Sequence, residues 1–123
     1  MRIILADPHP KALWALKTML HENLEIEVIG DAMDAESLLA LAANHLPDLI
    51  LVDIELPGRA IEDLITDLHS GNPRPVVVGM STKPEYGRMM LKAGADAFVS
   101  KSDQPEWLLE TLKKFQQRII RKG

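Results

Sequence analysis

Four polar residues in this sequence each stand directly behind a short run of small or apolar ones. Asp7 follows "IILA", Asp53 follows "LILV", Ser81 follows "VVVGM" and Lys101 follows "AFVS". Brought to one place, these groups have a definite chemistry. Two neighbouring carboxylates repel one another and raise each other's pKa unless a cation sits between them. Carboxylate oxygens suit a hard ion such as Mg²⁺, which takes one or two of them plus phosphate oxygens and keeps several waters. A lysine ammonium adds a second positive charge and a serine hydroxyl adds a donor, so together they can neutralise a phosphoryl group and hold its oxygens. A carboxylate can itself be the nucleophile that accepts such a group.

Only a sheet edge positions four such residues together, and the chain carries the pattern of one. Short apolar runs recur at 3–5, 26–29, 49–52, 76–78 and 97–99, with helix-period segments between and after them. Leu13, Leu16 and Leu20 share one helical face; so do Leu38, Ala42 and Leu46; then Ile61, Leu64, Ile65 and Leu68; and near the end Leu108, Leu112, Phe115 and Ile119. The segment 84–93 is weaker, because Gly87 sits inside it and costs a helix about 1 kcal/mol relative to Ala. Strand then helix, five times over, implies a parallel sheet covered on both faces. "LILV" and "VVV" are apolar throughout, as for strands buried on both sides. "EIEVI" alternates, and charges at Glu25 and Glu27 suit an edge strand. With the second strand at an edge and the first and third inside it, the order is 2-1-3-4-5, a flavodoxin-like doubly wound α/β fold. Its crevice lies at the carboxyl ends of the strands, where the winding reverses. All four polar residues then point to that rim.

The totals set bounds. One domain over residues 1–123 is the natural reading of 123 residues. Fourteen Lys and Arg against eighteen Asp and Glu leave a net charge of −4, which disfavours direct nucleic-acid binding by this stretch. No apolar run approaches the 18 or so residues of a membrane span. The chain has no cysteine, so disulfides and thiolate metal sites are excluded, in keeping with a cytoplasmic setting. No glycine follows the first strand in "ADPHPK", which argues against a flavin or nucleotide loop on this fold.

Read in order, "RIILADPHP", "PDLILVDIELPG", "VVVGMS" and "GADAFVSKSD" make the whole chain resemble the receiver domain of bacterial two-component response regulators. The "LAD.HP" start and the "KSD" after the fifth strand look most like receivers of the LuxR/NarL type, which carry a helix-turn-helix output. The resemblance implies roles. Asp53 matches the phosphoacceptor and Asp7 the first acid of the metal-binding pair. Glu55 matches the position whose backbone carbonyl binds Mg²⁺, Ser81 the switch hydroxyl, Phe98 the switch aromatic and Lys101 the family's lysine. Glu55 and Lys83 match two positions that tune dephosphorylation. A histidine kinase is the implied phosphodonor, and the receiver catalyses its own phosphorylation and dephosphorylation. The implied readout, through a homodimer or an output domain, is the face made by the fourth helix, fifth strand and fifth helix.

The chain also departs from that family. Pro8 stands where the second acid is usual, which predicts weakened Mg²⁺ binding and allows an alternative: a degenerate receiver that signals by protein contact without phosphorylation. Ser102 replaces a common proline, and "GRAIEDL" lacks the usual Asp-Gly after Gly58. Plainer readings stand beside the functional ones. Asp53 can cap its loop, Asp7 can N-cap the first helix, Ser81 can be a turn residue, Lys101 a solvated charge and Phe98 simple core. His9, His21, His45 and His69 show no ligand spacing and are read as non-ligands. Met80, Met89 and Met90 read as filler, and Trp107, off the helical stripe, as partly exposed. Lys113, Lys114, Arg118, Arg121 and Lys122 read as a solvated helix end that complements the dipole, or as the lead into a linker.

Overall fold

The computed structural model describes residues 1–23 and 25–122, with residues 120–122 described by backbone alone. Five parallel strands run β1 (Arg2–Ala6), β2 (Glu27–Ala32), β3 (Leu49–Asp53), β4 (Val76–Ser81) and β5 (Ala97–Ser100). They lie side by side in the order β2-β1-β3-β4-β5. The helices are α1 (Pro10–His21), α2 (Ala35–His45), α3 (Ile61–His69), α4 (Gly87–Lys92) and α5 (Pro105–Lys122). This is the flavodoxin-like arrangement read from the sequence, with β2 at an edge.

Strand alternation sorts the core into two layers. Ile3 and Leu5, Leu49 and Leu51, Val78 and Met80, and Val99 pack against Leu13 and Leu20 of α1 and Leu108, Leu112 and Phe115 of α5. Ile4 and Ala6, Ile50 and Val52, and Val77 face the opposite way, onto Leu38 of α2, Leu64, Ile65 and Leu68 of α3 and Met90 of α4. Every residue of β3 is buried, as its unbroken apolar run requires. Gly79 packs closely against α4: a Cβ there would stand 2.1 Å from the Cε of Met90, the flexible end of that side chain.

Several expectations are corrected. The second strand begins at Glu27 and runs through Gly30 and Asp31 to Ala32, beyond the apolar run, with its register to β1 shifting between Ile3 and Ile4. Leu46 leaves the α2 stripe: it is the C-cap, at φ 47°, and half exposed. The weak segment 84–93 forms a 3₁₀ turn at Pro84–Tyr86 followed by only six helical residues, with Gly87 first among them. The N-cap of α1 is His9, so Asp7 does not cap that helix. Met80 and Met90 are core, while Met89 is exposed, as is Trp107. The side chains of Arg121 and Lys122 lie outside the described residues.

Candidate functional site

Asp53 is the last residue of β3, and Asp7 comes one residue after β1, so both carboxylates stand at the carboxyl end of neighbouring strands. Both are buried. A carboxylate in such a place needs partners for its oxygens. Asp53 Oδ1 accepts the Glu55 N–H at 2.7 Å, and Asp7 Oδ1 accepts the His9 N–H at 2.9 Å. These are side-chain-to-backbone turns of the kind Asp favours at strand ends. The remaining oxygen of each acid goes to one cation. Lys101 Nζ donates to Asp53 Oδ2 at 2.7 Å and also to Asp7 Oδ2. Burial alone disfavours the ammonium charge, but the hydrogen bonds and charges of Asp53 and Asp7 outweigh it and hold Lys101 above its ordinary range.

Ser81 closes β4 beside this group. The register sets Asp53 against Met80 and Ser81 against Ser100. The Lys101 N–H donates to the Ser81 carbonyl at 2.8 Å, so the backbone of Ser81 fixes where the lysine leaves the sheet. The Ser81 hydroxyl accepts the Lys83 N–H at 3.0 Å and is almost fully buried. Ser102, in place of the common proline, shares a hydrogen bond with Ser100 between their hydroxyls at 2.7 Å. Phe98 is partly buried on the α2–α4 side of the sheet, over the first residue of α4: a Cβ on Gly87 would lie 2.9 Å from its ring. Four of the sequence-read residues, Asp7, Asp53, Ser81 and Lys101, therefore meet at one rim. Phe98 stands below it, and Glu55 sits on the turn after Asp53 with its N–H committed to that acid.

His9, a non-ligand by sequence spacing, stands at the site: its Nδ1 lies 2.9 Å from Asp7 Oδ1 and its Nε2 3.4 Å from Glu55 Oε2. Ligand atoms of Asp7, His9 and Asp53 all fall within 4.8 Å of one another. The sequence did hold a signal for this. A residue before proline is pushed into extended backbone. His9 precedes Pro10 and takes φ −100°, ψ 110°, with its N–H and its ring both on Asp7.

As a cation site the cluster has two carboxylates and one ammonium, a residual charge of −1. That balance fits a divalent ion. Pro8 supplies no side-chain oxygen to it, and the third group within reach of the two acids is the His9 imidazole.

A family model described as the response regulator receiver domain matches residues 3–113. The chain belongs to that family. It is 35% identical over 112 residues to the nitrate/nitrite response regulator protein NarL of Escherichia coli, covering 89% of this chain and 52% of that protein. It is 34% identical over 124 residues to a protein-glutamate methylesterase/protein-glutamine glutaminase of Rhodopseudomonas palustris, covering 97% of this chain and 34% of that one. In structure it is similar to the signal receiver domain of a putative response regulator NarL from Mycobacterium tuberculosis, with a TM-score of 0.81, 25% identity, and coverage of 92% and 93%. The chain thus spans a third to about half the length of these two relatives. Among the described residues, no helix is long and apolar enough to cross a membrane.

Proposed function

We propose that Asp53 is the phosphoacceptor of this receiver, loaded by a partner histidine kinase, and that the domain passes its state to an output domain or a second copy. The observation that carries the reading is the single ammonium of Lys101 shared by two buried carboxylates. It ties an oxygen of each acid to one point at the open end of the sheet. An Asp53 oxygen attacks phosphorus, the P–N bond of the donor phosphohistidine breaks, and the imidazole leaves with the bonding pair and takes up a proton. Lys101 then has a phosphoryl oxygen to hold in place of a carboxylate one, and Ser81, one residue past the partner of Asp53 in β4, donates its hydroxyl to another. A divalent ion, when bound by Asp7, Asp53 and the carbonyl of Glu55, neutralises phosphoryl charge. With Pro8 in place of an acid, Mg²⁺ is held more weakly than in receivers with both.

For the readout, α4, β5 and α5 form the proposed contact face. Leu91 on α4 and Trp107 on α5 are exposed there, and such anchors suit a protein partner better than water. No direct nucleic-acid contact by this domain and a cytoplasmic location complete the reading.

The test is intact mass after incubation of the full chain with a small acyl phosphate and excess Mg²⁺ or Mn²⁺. The gain of one phosphoryl group, removed by hydroxylamine and absent in Asp53→Asn, supports the reading. Labelling that persists in Asp53→Asn, or none at saturating divalent ion, overturns it.

A further inference from the structure

Lys101 is the side chain that both buried acids share, and the turn it stands on is itself tied down. It is the first residue past β5, and β3 lies two strands away, about 10 Å at the usual spacing. β1 is one strand farther, so the lysine has to cross the end of β4 to reach Asp53 and Asp7. A small swing of the backbone at 101 is carried to the ammonium at the far end. We propose that Ser100 and Ser102, on either side of it, are positioning residues that aim Lys101 for phosphoryl transfer to Asp53. The proposal rests on the phosphoacceptor reading for what the lysine does; the positioning stands on the hydrogen bonds.

The donors around Lys101 account for one another. Ser100 is buried, and a buried hydroxyl has to place its proton. Its oxygen already accepts the Ser102 N–H at 3.3 Å and stands 2.7 Å from the Ser102 hydroxyl. Among the described residues the Ser102 oxygen is the one acceptor that this proton has, so Ser100 donates and Ser102 accepts. The Ser102 proton is then free for the Thr82 carbonyl, which it meets at 3.4 Å. The Lys101 N–H goes to the Ser81 carbonyl at 2.8 Å, and the Asp103 N–H to the Ser100 carbonyl at 3.1 Å.

The turn after β5 is thus held to the end of β4 at two successive carbonyls, Ser81 through the backbone and Thr82 through a side chain. One bond alone leaves the turn free to pivot about it; the second fixes the direction in which Lys101 leaves the sheet. A proline at 102 has neither an N–H nor a hydroxyl and could make none of these bonds. Ser102 is therefore not a neutral replacement: it supplies a hydroxyl relay where a rigid ring is usual. Ser102 is exposed, so the relay contributes aim more than stability. Aim is the costly quantity, since a misplacement of about 1 Å can slow a reaction by about 100-fold.

The experiment compares the full chain with Ser100→Ala, Ser102→Ala, the double variant and Ser102→Thr, which keeps the hydroxyl. The first readout is the ¹⁵N resonance of the Lys101 ammonium, identified by its loss in Lys101→Met, and the exchange of its protons with water. Each alanine variant speeds that exchange by about 10-fold, the double variant adds less than about 2-fold more, and Ser102→Thr stays within about 2-fold of the natural sequence. The second readout is the rate of Asp53 labelling by a small acyl phosphate at saturating Mg²⁺, followed by intact mass. It falls by about 10-fold in the alanine variants and recovers in Ser102→Thr. Urea unfolding separates aim from fold: lower stability with unchanged ammonium exchange means a merely structural role and overturns the proposal. Labelling at the natural rate in both single alanine variants overturns it too. If the natural sequence takes no label while the ammonium responds as expected, the phosphoacceptor reading fails and the placement of Lys101 by the two serines stands.

Discussion

Replacing Lys101 with methionine removes the one cation that both buried acids share, at nearly constant side-chain volume. The size of the effect can be worked from the structure. Asp53 Oδ2 is 2.7 Å from Nζ and Asp7 Oδ2 is no farther, so the two oxygens are at most about 5.4 Å apart (2.7 plus 2.7). At an effective dielectric constant of 20, two unit charges at that distance repel by about 3 kcal/mol. Two charge-assisted hydrogen bonds are lost as well, each worth about 1.5–3 kcal/mol. Solvent entry and proton uptake by one acid recover part of this, so the net loss expected is about 3–5 kcal/mol, the usual result of removing one partner from a buried ion pair. The assay is urea unfolding at neutral pH with chelator present, followed by circular dichroism. A double-mutant cycle isolates the cause. In an Asp53→Asn background only one carboxylate remains to be stranded, so Lys101→Met should cost about 1–2 kcal/mol there. A cost below about 1 kcal/mol in the natural sequence, or the same cost in both backgrounds, would refute the reasoning.

Further outcomes follow from other parts of the molecule. Asp96 accepts the Val77 N–H at 2.8 Å and meets His69 at 2.9 Å and Arg74 at 3.1 Å. Burial opposes its charge, but those partners prevail and hold the carboxyl below its usual 3.8. Its contribution is therefore full above that value and lost as pH falls through the lower folded-state one; Asp96→Asn should cost about 1–3 kcal/mol at neutral pH and flatten stability against pH below about 4, measured by acid and urea titration. Leu46→Gly should stabilise by about 0.5–1 kcal/mol in thermal unfolding, because a branched side chain at φ 47° is replaced by the residue that suits a helix C-cap. Gly87→Ala should displace the Phe98 ring, seen as shifted ring resonances, while leaving the Lys101–Asp53 contact and any Asp53 labelling intact.

The parts of this structure that the sequence displayed are those governed by period and by strand ends. Unbroken apolar runs marked β3 and β4 because a strand buried on both faces admits nothing else. The acids and the lysine were visible because each interrupts such a run. The boundaries that escaped are set by tertiary contact. β2 continues through Gly30, Asp31 and Ala32, residues with no strand preference, because β1 beside it supplies the ladder. Leu46 lies at the right spacing for the α2 stripe, yet the helix ends there, its N–H on Ala42 and its carbonyl taking a donor from Arg2. His9 escaped for a different reason: a search for two histidines at ligand spacing cannot find one histidine recruited beside two acids from separate strands.

Strand parity also separates the proposed phosphoacceptor from the proposed readout residues. Asp53 continues the parity of Leu49 and Leu51, and Lys101 that of Ala97 and Val99, which is the layer under α1 and α5. Ser81 continues the parity of Val77 and Gly79, and Phe98 points to that same layer, against α2, α3 and α4. On the phosphoacceptor reading, a group added to Asp53 and held by Lys101 arrives on one side of the sheet, while Ser81 and Phe98 face the other. On that side lies α4, six residues long, begun by a glycine and holding one buried side chain, Met90. A helix with so few buried contacts is among the least stable units of the fold and so the easiest to shift. Phe98 rests against its first residue, so on the same reading a shift of Ser81 would have a short route to the exposed surface of α4. On that reading the alternation along the strands, more than any single residue, would let a charge placed at the rim be read on the opposite layer.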